Sequence, residues 1–152
     1  MVEIPGEVDL YLIKRVEGGD DPPLELSGTQ RTLFAQQVIR VVDESDGRKH
    51  CQTVSYRYRL QADASPKSTL IRWEYDREPP RPDYQYPPAH VHFHGELEGE
   101  DARSRHVPTG RVPLEYVVWH LISDWETAPL VDEWKAILEA SIEGFQERRT
   151  AH

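Results

Sequence analysis

Residues 32–43 read TLFAQQVIRVVD. Leu33, Phe34, Val38, Val41 and Val42 fit a helical stripe, but the density of β-branched side chains and the turn signal that follows favour a strand. The choice decides the fold. As a strand, the segment runs into Asp46-Gly47, a pair that suits a tight hairpin, and returns as Thr53–Gln61 (TVSYRYRLQ). Alternation in the returning strand sets Tyr56 and Tyr58 on one face and Arg57 and Arg59 on the other. Thr69–Asp76 (TLIRWEYD) reads as the next strand, after a turn at 62–68. Upstream, Val8–Val16 (VDLYLIKRV) alternates in part and reads as a strand, and Glu17–Gly28 is rich in turn formers. Downstream, Glu78–Ala89 holds five prolines in twelve residues. Proline lacks the ladder donor and fixes its own φ, so an extended, stiff loop is expected there. His90–Leu97 (HVHFHGEL) closes the strand-forming part.

The period then changes. Leu114, Val117, Val118, Leu121, Ile122 and Trp125 recur at helical spacing, with Pro113 suited to a first turn. Leu130, Trp134, Ile137, Leu138, Ile142 and Phe145 outline a second one-sided helix. Strands first and helices last imply an α+β fold: an antiparallel sheet of about five strands followed by two C-terminal amphipathic helices. The whole of 1–152 is expected to be one domain, with the sheet over about 8–97 and the helices over about 113–148.

Composition narrows the function classes. The net charge is −9, which disfavours non-specific nucleic-acid binding. The charge is uneven: residues 51–111 carry nine basic and nine acidic side chains, and eight of the basic ones are Arg. This neutral middle lies between two acidic flanks and holds four of the seven His, so an anion could meet a local Arg and His surface. No apolar run exceeds four residues, so no membrane partner is expected. The start of the chain lacks a basic head followed by an apolar stretch, and the single Cys51 suits a reducing compartment. A cytoplasmic location is the expectation.

The chemistry concentrates on the last strand. His90, His92 and His94 alternate with Val91 and Phe93, so the imidazoles share one face, and Glu96 extends the row. Same-face neighbours stand about 6.5–7 Å apart, close enough for two imidazoles to converge on one ion. The full row is longer than one coordination sphere, so a third ligand would come from elsewhere, with His106 or Glu96 the candidates. Such a set of nitrogen and oxygen ligands, drawn from His90, His92, His94 and Glu96, would bind a divalent metal ion in an open, catalytic type of site. Without a metal, His92 and His94 could supply a general acid and base, with His106 and Arg72 beside them and Arg57 and Arg59 orienting an anionic substrate. That arrangement suits cleavage of a phosphodiester such as RNA. A solvated His face on a protein-interaction module, docking through the sheet or through Tyr84 and Tyr86, is the alternative, as is a small metal-binding protein.

Residues 56–122 resemble the small TumE-type proteins of bacterial toxin–antitoxin pairs. The resemblance rests on Tyr56-Arg57-Tyr58, on Arg72-Trp73 with Asp76, on the His-rich strand His90–His94 and on the helix Leu114–Ile122. Trp73 is followed here by Glu74-Tyr75-Asp76, where that group has Asp-Asn after the aromatic. The resemblance implies a toxin–antitoxin component acting on RNA or its machinery, with an antitoxin or another protein as partner. The spacing His90-x-His92-x3-Glu96 also coincides with the first metal motif of cupin barrels, but a second motif is missing and helices stand where barrel strands should be.

Overall fold

The computed structural model describes residues 9–12, 23–43, 47–78, 86–97 and 100–150. The strands are β1 (Asp9–Leu12), β2 (Leu24–Glu25), β3 (Thr32–Asp43), β4 (Lys49–Gln61), β5 (Thr69–Asp76), β6 (Ala89–Phe93), β7 (Glu96–Leu97), β8 (Glu100–Asp101) and β9 (Val107–Pro108). Two helices follow, α1 (Leu114–Asp124) and α2 (Trp134–Thr150). The main sheet runs β1-β3-β4-β5-β6-β9, with β2 beside β1 on the outer edge of β3, and every pairing is antiparallel. The fold is thus α+β with helices last, as the sequence implies, and the sheet has more strands than the five expected. Val8 and residues 13–16 of the first expected strand, Asp46 of the expected hairpin pair, and residues 79–85 of the proline-rich segment, Tyr84 among them, lie outside the described residues. No helix among the described residues is long and apolar enough to cross a membrane.

β3 and β4 decide the architecture. The β-branched run in 32–43 is a strand along its whole length, paired with β4 from Thr32↔Gln61 to Asp43↔Lys49. Register then stacks apolar side chains in rows across the sheet: Ala35–Tyr58–Trp73–Val91 and Gln37–Tyr56–Tyr75–Ala89. Val117 and Leu121 of α1 complete this core. Its polar atoms are matched: the Tyr58 hydroxyl donates to Gln37 Oε1 (3.0 Å), and the Val112 N–H donates to the Tyr56 hydroxyl oxygen (2.7 Å). The two rings stack 4.7 Å apart.

Two expectations need correction. The second helix begins at Trp134, not Leu130; Leu130 is 89 % exposed in the connection before it, and Ile137 is also exposed. α2 meets α1 through Trp119 and Trp134 (5.2 Å between rings) and through Ser141 and Glu115, so its stripe is only partly used. The strand expected over 90–97 ends at Phe93. Gly95, at φ 157°, turns the chain out of the ladder, and Glu96–Leu97 pair with Glu100–Asp101 in a separate hairpin.

Burial follows from these packing relations. Leu121→Ala is expected to cost about 2–5 kcal/mol in denaturant melts, and Leu130→Ala less than about 0.5 kcal/mol. Burial also raises the pKa of Tyr58 and of Tyr56 above the ordinary tyrosine value. An unfolded tyrosine loses its proton near pH 10 while these keep theirs, so their contribution is intact below pH 10. Stability should fall as pH rises beyond it. Tyrosinate absorbance from this pair should appear together with loss of the far-UV signal, not before it.

Candidate metal centre

The face of the sheet opposite α1 is polar. Register lays two rows across it: Gln36–Arg57–Glu74–His90, and Phe34–Arg59–Arg72–His92. β9 pairs with the outer edge of β6, with Pro108 opposite His90, and so brings His106 alongside the imidazoles. His90, His92 and His106 offer ring nitrogens that all lie within 4.8 Å of one another. The ring centres are 4.2–5.0 Å apart. Tyr86 stacks on His106 at 3.6 Å and covers it.

Alternation predicts that Val91 and Phe93 are buried and that His90, His92 and His94 share the more accessible face. Val91 is buried as expected, but His90 is 1 % and His92 2 % exposed, and Phe93 is 45 % exposed. Alternation holds; what differs is the covering. The segment carrying Tyr86 and Pro87, together with the short helical turn at Ala102–Ser104, closes over the imidazoles. On the other side Phe93 lines an open cleft of about 320 Å³ with Val91, Tyr116 and Val117 of the helical layer. The buried imidazoles lie in a polar nest and not in the apolar core.

Hydrogen bonding fixes the state of each ring. His90 Nδ1 donates to Pro87 O (2.8 Å), His92 Nδ1 to Arg103 O (3.1 Å) and His106 Nδ1 to Ser104 O (3.0 Å). A carbonyl oxygen only accepts, so each Nδ1 carries a proton and each ring in its neutral form presents a lone pair at Nε2. The Nε2 atoms of His90 and His92 are buried without a hydrogen-bond partner. Both face Glu74 Oε2, at 3.5 and 3.2 Å. Lone pairs directed at a carboxylate oxygen repel unless a proton or a cation stands between them. Burial lowers the His92 pKa to about 4, with Arg72 and His106 pushing the same way against the Arg103 carbonyl and Glu74. Burial likewise lowers that of His106. On His92 and His106 the proton is therefore disfavoured at neutral pH, and the three converging imidazoles could hold a metal ion in its place. Imidazole donors suit zinc and its neighbours better than magnesium or calcium. Ligands around a tetrahedral zinc stand about 3.3 Å apart, from Zn–N distances of about 2.0–2.1 Å, so closing the ring requires shifts on the order of 1 Å.

Of the residues singled out from sequence, the structure brings His90, His92, His106 and Arg72 together. Arg57 joins them through Glu74, and Arg59 stands opposite Arg72 with its guanidinium 4.1 Å over the Phe34 ring. His94 is not part of the converging group: it follows the end of β6, where its N–H donates to Leu70 O. Glu96 leaves the row with the β7 hairpin, so it does not extend the His strand. Sequence reasoning missed Glu74 as a site residue. The signal was its place two residues from Arg72 in an alternating strand, but its partner depends on register. His120, on α1, is satisfied locally: Nδ1 meets Asp124 at 2.7 Å, and the Trp125 indole donates to Nε2 at 3.0 Å. No family model, curated protein or solved structure matches this chain.

Elemental analysis checks the assignment. The purified protein reconstituted with zinc is expected to hold about one equivalent per chain, and His92→Ala to hold little while keeping its thermal transition, since a site of this open type contributes less to folding than a structural one.

Proposed function

We propose that this chain is a metal-dependent hydrolase of phosphodiesters, with RNA as the substrate class to test first. The observation that carries the reading is the convergence of three imidazoles whose Nδ1 atoms are all held by backbone carbonyls. When bound, a divalent cation of the zinc class supplies Lewis acidity toward water and phosphoryl oxygens. The chain's own residues do the rest. His90, His92 and His106 hold the cation, and Glu74 faces it. Arg57 and Arg72 fix the orientation of Glu74 through ion pairs of 3.4 and 3.1 Å. With neutral imidazoles, one carboxylate and two guanidiniums, the cluster carries a net charge of about +1, and about +3 with a divalent ion, so it calls for an anionic substrate. This accords with the resemblance to TumE-type proteins and with action in the cytoplasm, where an antitoxin would hold such an activity in check.

A second reading, a protein-interaction module, is favoured by the exposed Leu130, Val131 and Ile137 around the start of α2. The two separate in one set of assays. Zinc-loaded protein is expected to cleave RNA or an activated phosphodiester, to lose at least about 100-fold in rate with chelator or His92→Ala, and to arrest growth when expressed. Cleavage that survives chelator with a bell-shaped pH profile would instead assign the histidines a metal-free acid–base role. If wild type binds no metal, cleaves nothing and leaves growth unchanged, the interaction module takes the place of the hydrolase.

A further inference from the structure

Arg57 and Arg72 approach Glu74 from two strands. Arg57 is directly across from it on β4, and Arg72 shares its face of β5 two residues away. Both form ion pairs with the carboxylate in which Nε is the nitrogen nearest to it, Arg57 to Oε1 at 3.4 Å and Arg72 to Oε2 at 3.1 Å, and the buried Arg72 Nε makes no hydrogen bond. A guanidinium has five N–H donors in a planar fork, and Nε supplies one. With Nε the nearest nitrogen to Glu74 in both, the Nη pairs can meet another acceptor. The two side chains are 57 % and 32 % exposed, so that acceptor can arrive from solvent. Next along the second row, Arg59 lies directly opposite Arg72.

We propose that Arg57 and Arg72 are two-sided, turning the Nε edge of the guanidinium to Glu74 and the Nη pair to a phosphoryl group of the substrate, and that Arg59 adds a third cation to the same oxyanion subsite. This rests on the metal-centre reading above for its position beside the reacting group. A phosphoryl group is the best match in shape, because its non-bridging oxygens can meet two guanidinium forks and a neighbouring cation at once, whereas a carboxylate has only two oxygens to share. The arrangement couples the two sites. A phosphoryl group drawn onto Nη stiffens both arginines and so holds Glu74 toward the imidazoles. By reciprocity, phosphate should tighten zinc binding by the same factor by which zinc tightens phosphate binding.

Calorimetric titration of the full-length, zinc-loaded protein with inorganic phosphate, and separately with acetate, tests the proposal. Phosphate is expected to bind more tightly than acetate. Arg57→Gln should weaken phosphate binding about tenfold or more with zinc stoichiometry unchanged, and Arg57→Lys should fall between, since charge is kept and the fork is lost. Arg59→Gln, placed away from Glu74, should weaken phosphate without altering zinc affinity. Acetate binding as tightly as phosphate would overturn the phosphoryl assignment. Phosphate affinity within twofold of wild type in both Arg57→Gln and Arg59→Gln would overturn the subsite. Should the protein take up no zinc, the metal reading fails by itself. Phosphate titration of that same protein then decides the subsite: binding that depends on Arg57 sustains it, and lack of binding overturns it.

Discussion

The Glu74 carboxylate sets the terms for the polar half of this molecule. Its side chain is 15 % exposed on an interior strand, and a carboxylate so far withdrawn from water is costly unless ion pairs and hydrogen bonds replace its hydration. Arg57, Arg72, His90 and His92 are the replacements, drawn from β4, β5 and β6. Each contact requires the neighbouring strands to be in one register. A slip by one residue between β5 and β6 would set Trp73 against the imidazoles and turn Glu74 into the apolar core. Removing the carboxylate alone would leave two guanidiniums and two buried imidazoles facing one another. For that reason the contact counts for more than a surface ion pair of the same length.

Register, in turn, is held by the other face. Tyr58, Trp73 and Val91 form one continuous row under α1, and Tyr56, Tyr75 and Ala89 form the next. These large side chains fit in only one alignment, and strand alternation carries that alignment through the sheet to the opposite side. The same residues β4, β5 and β6 therefore serve two purposes by parity. One parity supplies apolar area and stability, and the other supplies charge and lone pairs. The polar face gains its dryness not from a helix but from two short coverings, the Tyr86–Pro87 segment and the turn at Ala102–Ser104. Both are anchored by the imidazoles they cover, through Pro87 O, Arg103 O and the Tyr86–His106 stack.

This division explains which features could be read from sequence. The strands 32–43 and 69–76 and the first helix were legible because a period of two or of 3.6 is a local property. His106 was legible, with Glu96, as a candidate third member of the cluster because the row on the strand is too long for one ion, and it is His106 that the return of the chain brings alongside. Three things were not legible. Depth was not, because alternation gives the face of a side chain and says nothing of what covers that face; hence the reversal of His90 and His92 against Phe93. The loss of His94 and Glu96 from the row turned on Gly95, whose φ of 157° ends the ladder where the apolar pattern alone would continue it. Glu74 was missed because its meaning lies in cross-strand pairing to Arg57 and His90, which no single strand contains. The start of the second helix was misplaced at Leu130 because an apolar residue at the right spacing was counted as part of a stripe that the packing does not use.

The locking of the three Nδ1 atoms bears on what kind of chemistry the cluster is made for. An acid–base pair of histidines needs two rings in different states, one with its proton at the reacting nitrogen and one without, and each must exchange during turnover. Here backbone carbonyls from two segments, Pro87 and the turn at Ala102–Ser104, hold the same proton on the same nitrogen in His90, His92 and His106, so all three rings keep Nδ1 for their anchors and leave Nε2 as the other nitrogen. Burial reinforces this by disfavouring the imidazolium form of His92 and His106. An arrangement of like donors around one point is unfavourable in itself and is relieved by a single electron-pair acceptor in their midst. Identical tautomers, outward anchors and an inward carboxylate form a pattern that suits ligation and that proton exchange would have to undo.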